Sequence, residues 1–349
     1  MYIDRTSMLT LLWMFFIWYM YVYFLFLCNQ KLISGTKKMM KLLLAVTFVA
    51  LCTADDVLNC RRNPLHRGWR ISGPDACEVE PHSKPWMVYL GKCTGTLIGQ
   101  RVVLTALHCI QRSPKNPLRV GQFVSIGSHD NRIREQGRQW RKIKKFIPYF
   151  ENGSADHTKA DYLIIILDKK VDITKTVQVA NLPRPGFRCP NNLQVCGWGN
   201  DYFDRNRNTD TLYCVRQKCR PVSECPLRDQ LPEFKLCASY PGSHPYDWLN
   251  SACKGDSGGP LFYTDEKGRA TVIGVVSKKG TPGGMGSTCN SPTIYASLSS
   301  PRILKWIKDN MLLYIWFEEI IIEKLAGNFC IYLELVKYPK ISSYINVGY

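Results

Sequence analysis

The sequence lacks the patterns that mark several large classes of protein. No internal repeats occur at solenoid periods, which argues against a repeat array. Long apolar runs are confined to the first 55 residues, which argues against a polytopic membrane protein. No two of the 15 cysteines have the two-residue gap of a zinc knuckle, and the 6 histidines are scattered. We therefore expect no zinc site, no other metal and no cofactor.

Acidic residues are scarce as well: 28 Asp and Glu residues stand against 46 Lys and Arg residues in the 349-residue chain, for a formal net charge of +18. A charge of this size suggests nucleic acid, a polyanionic sugar or a membrane surface as a partner. Nucleic acid is not expected, because the sequence contains no helix-turn-helix, zinc-finger or RNA-binding signature. The hydrophobic fraction of 45% excludes a wholly disordered chain, and the number of cysteines favours an oxidising compartment.

Two apolar segments lie near the amino terminus. Residues 39–54 have the layout of a secretory signal peptide, with a basic start at Lys41, a short apolar middle and small residues at Thr53–Ala54. Residues 8–28 carry no charge and are long enough to cross a bilayer as a helix. They are either a membrane anchor or, as we prefer, part of an upstream extension of the gene model over residues 1–38, because the signal peptide is complete by itself. A secreted protein is expected, with a membrane-anchored one as the alternative.

Between Ile71 and Met311, short alternating apolar runs are separated by Gly, Pro and Asn residues. Runs of this length and spacing predict strands, so the sequence indicates an all-β barrel or sandwich. Residues 301–311 begin with proline and place four apolar residues on one face, which predicts a closing helix. Residues 312–349 show no domain-like organisation and form an unassigned tail, either an amphipathic appendage or a gene-model run-on.

Three separated segments carry chemistry. LTALHC is a strand that runs into His108, and in ADYLIIIL the carboxylate of Asp161 precedes an apolar strand. In ACKGDSGGPL, Ser257 lies among glycines that allow neighbouring backbone N–H groups to converge on one point. A serine is a weak nucleophile at neutral pH, so it needs a base, and the base needs a carboxylate that orients it. His108, Asp161 and Ser257 supply the base, the carboxylate and the nucleophile.

The segments ALHC, ADYLIIIL and GDSGGPL resemble the three catalytic blocks of the trypsin/chymotrypsin-like serine proteases. The resemblance covers residues 71–311 and implies an all-β protease domain of two six-stranded antiparallel β-barrels with a C-terminal helix. It implies that Ser257 attacks the scissile carbonyl, that His108 takes and returns the proton, and that Asp161 fixes the tautomer of the histidine. The backbone N–H groups of Gly255 and Ser257 would form the oxyanion hole.

The same resemblance implies that the protein is made as a zymogen. Residues 55–70 are polar and basic and would form an activation propeptide, and Arg70–Ile71 resembles the family's activation junction, although Ser72 departs from its pattern. Cleavage after Arg70 would free the α-amino group of Ile71 to pair with Asp256, the residue before the nucleophile. Since a buried carboxylate needs a partner, this pair would assemble the oxyanion loop only after processing.

Disulfide bonds are also implied by the resemblance. Twelve of the 15 cysteines lie between Cys60 and Cys289. The implied pairs are Cys93–Cys109, Cys253–Cys289, Cys225–Cys237 and Cys77–Cys214. For the other four cysteines three pairings remain open, and we favour one that joins Cys60 to Cys189 and leaves Cys196 and Cys219.

In this family the residue six before the nucleophile lines the floor of the primary specificity pocket, and here it is Ser251. A neutral floor favours an apolar residue before the scissile bond over Lys or Arg. The pocket walls would include Ser277, Lys279 and Thr293. The last two are bulky, which resembles the branch of the family whose pockets are shallow. Before the scissile bond we therefore expect a preference for small or medium apolar residues. Large aromatic residues rank second, and acidic residues, attracted by lysines at the rim of the pocket, rank third.

Residues Arg132–Lys145 carry seven basic residues against Glu135 alone. This segment is either the solvated edge of a strand, which we favour slightly, or a binding face for a sulfated glycan. Asn152 begins a glycosylation sequon in a predicted loop. We expect a monomer whose partners are protein or peptide substrates and an activating protease. The alternative function is a non-catalytic serine protease homologue that acts as a binding or regulatory module, which the intact set of catalytic residues argues against.

Overall fold

The computed structural model describes most of the predicted protease domain: residues 60–61, 76–111, 118–200, 209–221, 234–239, 251–279 and 292–325. Within these ranges the side chains of residues 60–61, 279 and 314–325 are not described. The chain divides into two units, residues 1–57 and 58–349, and every described residue belongs to the second. The predicted signal peptide, the apolar segment 8–28 and the junction at Arg70–Ile71 lie outside the described residues.

The described chain is mainly strands with two helices. In chain order these are β1 (Cys60–Arg61), β2 (Cys77–Val79), β3 (Met87–Tyr89), β4 (Thr94–Gly99), β5 (Val102–Thr105), α1 (His108–Gln111), β6 (Phe123–Ile126), β7 (Gln139–Pro148), β8 (Leu163–Leu167), β9 (Leu193–Gly197), β10 (Tyr213–Arg220), β11 (Lys235–Ser239), β12 (Pro260–Thr264), β13 (Ala270–Lys279), β14 (Thr293–Ser297) and α2 (Pro301–Leu325).

The first half of the domain is a closed antiparallel barrel in the order β3-β4-β5-β8-β7-β6, with β6 pairing back to β3. β8 reads LIIIL, and every one of its side chains is buried, because it lies between β5 and β7 with branched aliphatic residues on both faces. β7 alternates between more and less exposed residues over its first half, as expected of a strand with one face in water. The buried strand β8 therefore holds the residues just before it at the end of the barrel.

The second half is also a closed barrel. Its strands follow the order β10-β11-β14-β13-β12-β9, and the additional pairing of β9 with β10 completes the ring. β1 and β2 extend this sheet beyond β10. The expectation of two six-stranded antiparallel β-barrels is therefore confirmed.

The closing helix α2 is present but longer than predicted. It begins at Pro301 and buries Ile303, Leu304 and Ile307 against the core. The predicted end at Met311 is wrong, since the helix runs to Leu325 and takes in the first part of the supposed tail. No glycine or proline follows Pro301 until position 327, so the sequence offers no local signal that would stop a helix at residue 311. In the part of the chain that the structure describes, neither helix combines the length and the apolar character needed to cross a bilayer.

The disulfide bonds confirm one implied pair and correct another. Cys93 is bonded to Cys109, as expected. Cys214 is bonded to Cys196 and not to Cys77, although Cys77 faces it across the β2–β10 pairing. The reason is that β10 lies between β2 and β9, so Cys214 has a cysteine opposite it on each side, and one sulfur can bond only one of them.

One further disulfide bond has both of its cysteines among the described residues. Cys189 is bonded to Cys219, so the favoured link from Cys60 to Cys189 is wrong. Cys77, Cys237 and Cys253 are also disulfide-bonded. Cys225 and Cys289, the partners predicted for the last two, lie outside the described residues.

A buried tyrosine connects the two barrels. Tyr162, immediately before β8, is fully buried and donates its hydroxyl to the carbonyl of Ser297 at 2.6 Å. The same hydroxyl lies 3.3 Å from the carbonyl of Phe234, just before β11. Both acceptors belong to the second barrel, so one phenol group holds the edges of two of its strands against the first barrel.

Replacing Tyr162 with phenylalanine should therefore lower the free energy of unfolding by about 1–3 kcal/mol, because two buried carbonyl groups lose a shared donor. Tyr263→Phe is the matched control. Its half-exposed side chain lies on β12, and we expect a change within about 0.5 kcal/mol there. Urea denaturation measures both values, and equal losses in the two variants would contradict the role given to Tyr162.

Candidate active site

The carboxylate of Asp161 is buried at the end of the first barrel, where only 1% of the residue is exposed. Its Oδ1 accepts a hydrogen bond from the backbone N–H of His108 at 2.9 Å. Its Oδ2 lies 2.7 Å from Nδ1 of His108 and accepts a further hydrogen bond from Oγ of Ser277 at 2.6 Å. Both oxygens are thus satisfied, and Asp161 holds the backbone and the ring of the histidine at once.

These contacts determine the charge of the site. Burial would raise the pKa of Asp161, but the hydrogen bond and charge of His108 and the hydroxyl of Ser277 outweigh it, so the pKa lies below its usual value. Asp161 is therefore an anion at neutral pH and acts only as an acceptor. Nδ1 of His108 must carry the hydrogen in this pair, which leaves Nε2 as the atom that can take a proton.

His108 is placed by β5 and by a disulfide bond. It begins the short helix α1, three residues after β5, and is 8% exposed. The next residue, Cys109, is bonded to Cys93, which directly precedes β4. The strand and the disulfide together fix the start of α1 against the barrel, so the imidazole is held through its neighbours as well as by Asp161.

The loop that carries Ser257 is held against the first barrel. Thr94, the first residue of β4, donates its backbone N–H to the carbonyl of Ser257 at 2.8 Å and its hydroxyl to the carbonyl of Gly255 at 3.1 Å. The Sγ of Cys109, adjacent to His108, lies 3.8 Å from the same Ser257 carbonyl. Ser257 is half-exposed, whereas its neighbours on both sides are buried. The loop therefore lies beside His108 with the serine open to solvent.

Two glycines make this loop conformation possible. Gly255 has a φ of 104° and Gly258 a φ of 81°, in the region that residues with a Cβ rarely adopt. A Cβ at position 258 would also collide with the hydroxyl of Thr105 and the carbonyl of Thr94. Gly255 is thus required by its backbone conformation, and Gly258 by its conformation and by its close approach to β4 and β5.

Asp256 is fully buried beside the turn after β9. It accepts hydrogen bonds from the backbone N–H groups of Gly199 at 2.7 Å and Cys253 at 2.6 Å. A Cβ on Gly197 or Gly199 would collide with its carboxylate, so these glycines leave the space that Asp256 occupies. The backbone therefore supplies at least two donors to this carboxylate, in addition to the pairing with Ile71 that is expected after processing.

Comparison with known proteins agrees with this arrangement. The family model described as Trypsin matches residues 75–307. The chain belongs to the trypsin family. It is 31% identical to duodenase-1 of Bos taurus over 254 residues, which are 68% of this chain and 88% of the relative. It is 30% identical to chymotrypsin-C of Bos taurus over 264 residues, or 70% and 89%. It is 31% identical to the clotting factor G beta subunit of Tachypleus tridentatus over 260 residues, or 66% and 76%.

As a trypsin-family chain, the protein is a serine endopeptidase, and the expected pocket residues can be placed on its fold. Ser251 and Thr293 are both fully buried, and the Thr293 hydroxyl accepts a hydrogen bond from the backbone N–H of Ala252 at 3.0 Å. Ser251 therefore directly precedes the residue that contacts Thr293. Lys279 pairs with Thr293 across β13 and β14, but its side chain lies outside the described residues.

Ser277 makes a contact that the sequence did not predict. Its hydroxyl donates to Asp161. Sequence reasoning missed this contact because the two residues are 116 positions apart and lie in different barrels. It also missed Lys235, a buried lysine on which the charge of Asp161 acts. An isolated lysine at the start of an apolar strand gives no signal of that location.

The basic segment of this trypsin-family chain is organised by its single acidic residue. The Glu135 carboxylate accepts the backbone N–H groups of His129 at 2.7 Å and Asp130 at 2.8 Å. Its Oε2 also lies 3.0 Å from the guanidinium of Arg138, and both side chains are nearly buried. Glu135 therefore closes the loop between β6 and β7 and neutralises one of the seven basic residues.

Two more of the basic residues are paired within the fold. Arg132 lies 2.7 Å from Asp130, and Arg141 lies 3.7 Å from the carboxylate of Asp172. The other four are exposed and have no acidic partner among the described residues: Arg134, Lys142, Lys144 and Lys145. The surface charge of the segment is thus smaller than the sequence indicated.

The described residues bring one group of potential metal ligands together, consisting of Cys93, His108 and Cys109. The two sulfur atoms are bonded to each other, so neither can offer a thiolate to a metal. These three residues come together because the Cys93–Cys109 disulfide fixes the start of α1, where His108 lies. Asn152, the sequon residue, is exposed in a turn with a φ of 51°, a conformation that asparagine tolerates better than most residues.

Removing the Ser277 hydroxyl by Ser277→Ala should make stability depend on pH in a specific way. Asp161 has a depressed pKa, so its contribution to stability is present above the ordinary value of about 4 and is lost as pH falls. The variant should lose about 1.5–3 kcal/mol of unfolding free energy at pH 7, the range for a hydrogen bond to a charged group, and progressively less towards pH 3.

The matched control is Ser125→Ala, because Ser125 is buried and hydrogen-bonds the neutral hydroxyl of Ser128 at 2.7 Å. The loss of unfolding free energy in Ser125→Ala should be the same at pH 7 and pH 3. Denaturant unfolding of both variants at several pH values measures the difference. A loss in Ser277→Ala that stays constant with pH would contradict the contact with an ionised Asp161.

Proposed function

We propose that this trypsin-family endopeptidase is secreted and hydrolyses peptide bonds with Ser257, His108 and Asp161 as its catalytic triad. The observation that carries the proposal is the buried Asp161–His108 pair, which orients the imidazole beside the loop that presents Ser257. Disulfide bonds of the kind present here persist in oxidising compartments, which supports secretion.

The chemistry proceeds in two balanced halves. Oγ of Ser257 attacks the scissile carbonyl carbon while Nε2 of His108 takes the hydroxyl proton. The tetrahedral intermediate collapses, the C–N bond breaks, and His108 returns the proton to the departing amine, leaving an acyl-enzyme on Ser257. Water, deprotonated by the same nitrogen, then attacks the ester; the C–O bond to Ser257 breaks, His108 returns the proton to Oγ, and the acid is released. Asp161 stabilises the imidazolium at each stage without taking its proton.

The developing negative charge on the carbonyl oxygen requires donors that are already in place. We assign this role to the backbone N–H groups of Gly255 and Ser257. The tethers from Thr94 to both carbonyls of this loop support the assignment, because they hold its backbone in one conformation. Preorganised donors of this kind each typically contribute about 3–4 kcal/mol to barrier lowering.

Activation is proposed to follow cleavage after Arg70, with the new α-amino group of Ile71 pairing with Asp256. The complete burial of Asp256 supports this step, since a carboxylate at that depth gains from a cationic partner in addition to its two backbone donors. The pocket floored by Ser251, with Thr293 beside it, supports a preference for small or medium apolar residues before the scissile bond.

The activity prediction is tested with a peptide library after cleavage at Arg70. Processed wild-type protein should release peptides cut after small or apolar residues, and Ser257→Ala should lower kcat/KM by at least about 10⁴-fold, because the nucleophile is gone while binding remains. Arg70→Gln should stay unprocessed and inactive. Equal behaviour of wild type and Ser257→Ala would favour the non-catalytic homologue, and a preference for Lys or Arg would refute the reading of Ser251.

We also propose that the exposed part of the Arg132–Lys145 segment binds a polyanion such as a sulfated glycan. Lys142 and Lys144 project from the exposed face of β7, and the ammonium group of Lys142 lies 5.1 Å from the centre of the Phe123 ring. A row of cations without acidic partners among the described residues is a surface to which sulfate groups are attracted.

Removal of two of these charges, Lys142→Ala with Lys144→Ala, should weaken heparin affinity about tenfold at low salt, and the difference should shrink as salt rises. The control is Lys267→Ala with Lys308→Ala, which removes the same charge from exposed positions elsewhere. Heparin chromatography and calorimetry measure both. An equal loss in the control would mean that net charge, not this face, determines binding.

A further inference from the structure

The loop that carries Ser257 has an uneven distribution of hydrogen bonds. Its backbone carbonyl groups from Cys253 to Ser257 each accept at least one hydrogen bond. Within the described part of the chain, however, the backbone N–H groups of Gly255 and Ser257 donate to no acceptor. A loop with satisfied acceptors and free donors at these two positions is suited to hold an anionic oxygen, which is the role proposed for it.

Three consecutive peptide groups determine where these two N–H groups point. In a trans peptide the C=O and the following N–H point in opposite directions, so a carbonyl that is held in place also orients the N–H of the next residue. The carbonyl of Lys254 accepts the backbone N–H of Asn200 at 2.7 Å. The carbonyl of Asp256 accepts the backbone N–H of Gly259 at 2.9 Å. The first and the third peptide groups are therefore held by backbone donors.

The middle peptide group is held by a side chain instead. The carbonyl of Gly255 accepts its hydrogen bond from the hydroxyl of Thr94 at 3.1 Å. Gly255 has a φ of 104° and no Cβ, so its backbone can rotate with little steric hindrance. Rotation of the middle peptide group would change the angle between the two N–H groups on either side of it. The Thr94 hydroxyl opposes that rotation.

Thr94 is itself firmly placed. It is fully buried at the start of β4, and its carbonyl accepts the hydroxyl of Thr105 at 2.9 Å. Its backbone N–H donates to the carbonyl of Ser257 at 2.8 Å, and a disulfide bond joins the residue before it to the residue after His108. Since a β-branched side chain has few χ1 rotamers, the hydroxyl approaches the loop from one direction.

We propose that Thr94 is a positioning residue: its hydroxyl fixes the peptide group between Gly255 and Asp256, so that the N–H groups of Gly255 and Ser257 converge on one oxygen. The inference rests on the proposed protease function. Thr94 acts through the loop and contacts neither the substrate nor the reacting atoms. Because convergent donors matter most once the carbonyl oxygen becomes negative, the hydroxyl stabilises the transition state more than the bound substrate.

Thr94→Val removes the hydroxyl and keeps both the backbone N–H and a similar shape. In the processed enzyme it should lower kcat about 10- to 100-fold and leave KM within about twofold, as expected when a donor is misplaced and not lost. Thr94→Ser keeps the hydroxyl and should return kcat to within about threefold of the wild type. Steady-state kinetics on a peptide with a small apolar residue before the scissile bond measure both variants.

A tetrahedral inhibitor separates positioning from a general loss of structure. The boron of a peptide boronic acid accepts an electron pair from Oγ of Ser257, and the adduct carries a negative oxygen as the transition state does. Its affinity should fall in Thr94→Val by the same factor as kcat. Calorimetry should show that Ser257→Ala binds the uncleaved peptide equally well with and without Thr94→Val. Ser125→Ala, which removes a buried hydroxyl hydrogen bond from β6, should leave kcat and both affinities unchanged.

The other outcomes are distinct. If the wild type cuts peptides and Thr94→Val cuts them equally fast, the role of Thr94 is overturned and the protease function stands. A raised KM with an unchanged kcat, or a loss that Thr94→Ser does not restore, would mean that the side chain acts through substrate binding or packing, and either result also overturns the proposal. A wild type that cuts no peptide after cleavage at Arg70 refutes the protease function and, with it, the role of Thr94.

Discussion

The burial of one carboxylate constrains the whole site. Asp161 lies in the core as an anion, and an anion there is tolerated only when its oxygens are saturated with donors. Two of those donors come from His108 and one from Ser277, which belong to opposite barrels. The requirement to satisfy a single charge therefore couples the orientation of the base to the docking of the two halves of the domain.

Two further sets of polar contacts join the barrels close to this carboxylate or to the Ser257 loop. Thr94 of the first barrel holds the Ser257 loop of the second, and Tyr162 of the first donates to carbonyl groups of the second. Each of these donors lies next to a candidate catalytic residue or next to the Cys93–Cys109 disulfide. The candidate catalytic groups are thus positioned by hydrogen bonds across the barrel interface, where a shift of either barrel would break several at once.

The basic residues of the chain have different roles that depend on where the fold places them. Arg138 forms an ion pair with Glu135 in a loop, Lys142 lies on the exposed face of a strand, and Lys235 is buried near Asp161. The net charge of +18 treats the three as equivalent. Their environments differ because burial and pairing depend on contacts between distant segments, which a count of residue types does not contain.

Local pattern was enough to identify the strand-rich fold and the start of the closing helix, and to single out His108, Asp161 and Ser257 as candidates, because each depends on short-range chemistry that must be written in adjacent residues. Tertiary structure alone decided that Ser277 serves Asp161 and that Cys214 bonds Cys196. Those choices join segments far apart in the chain, and several partners of the same residue type compete for each position. Strand register selects among them, and register is set by packing of the whole barrel.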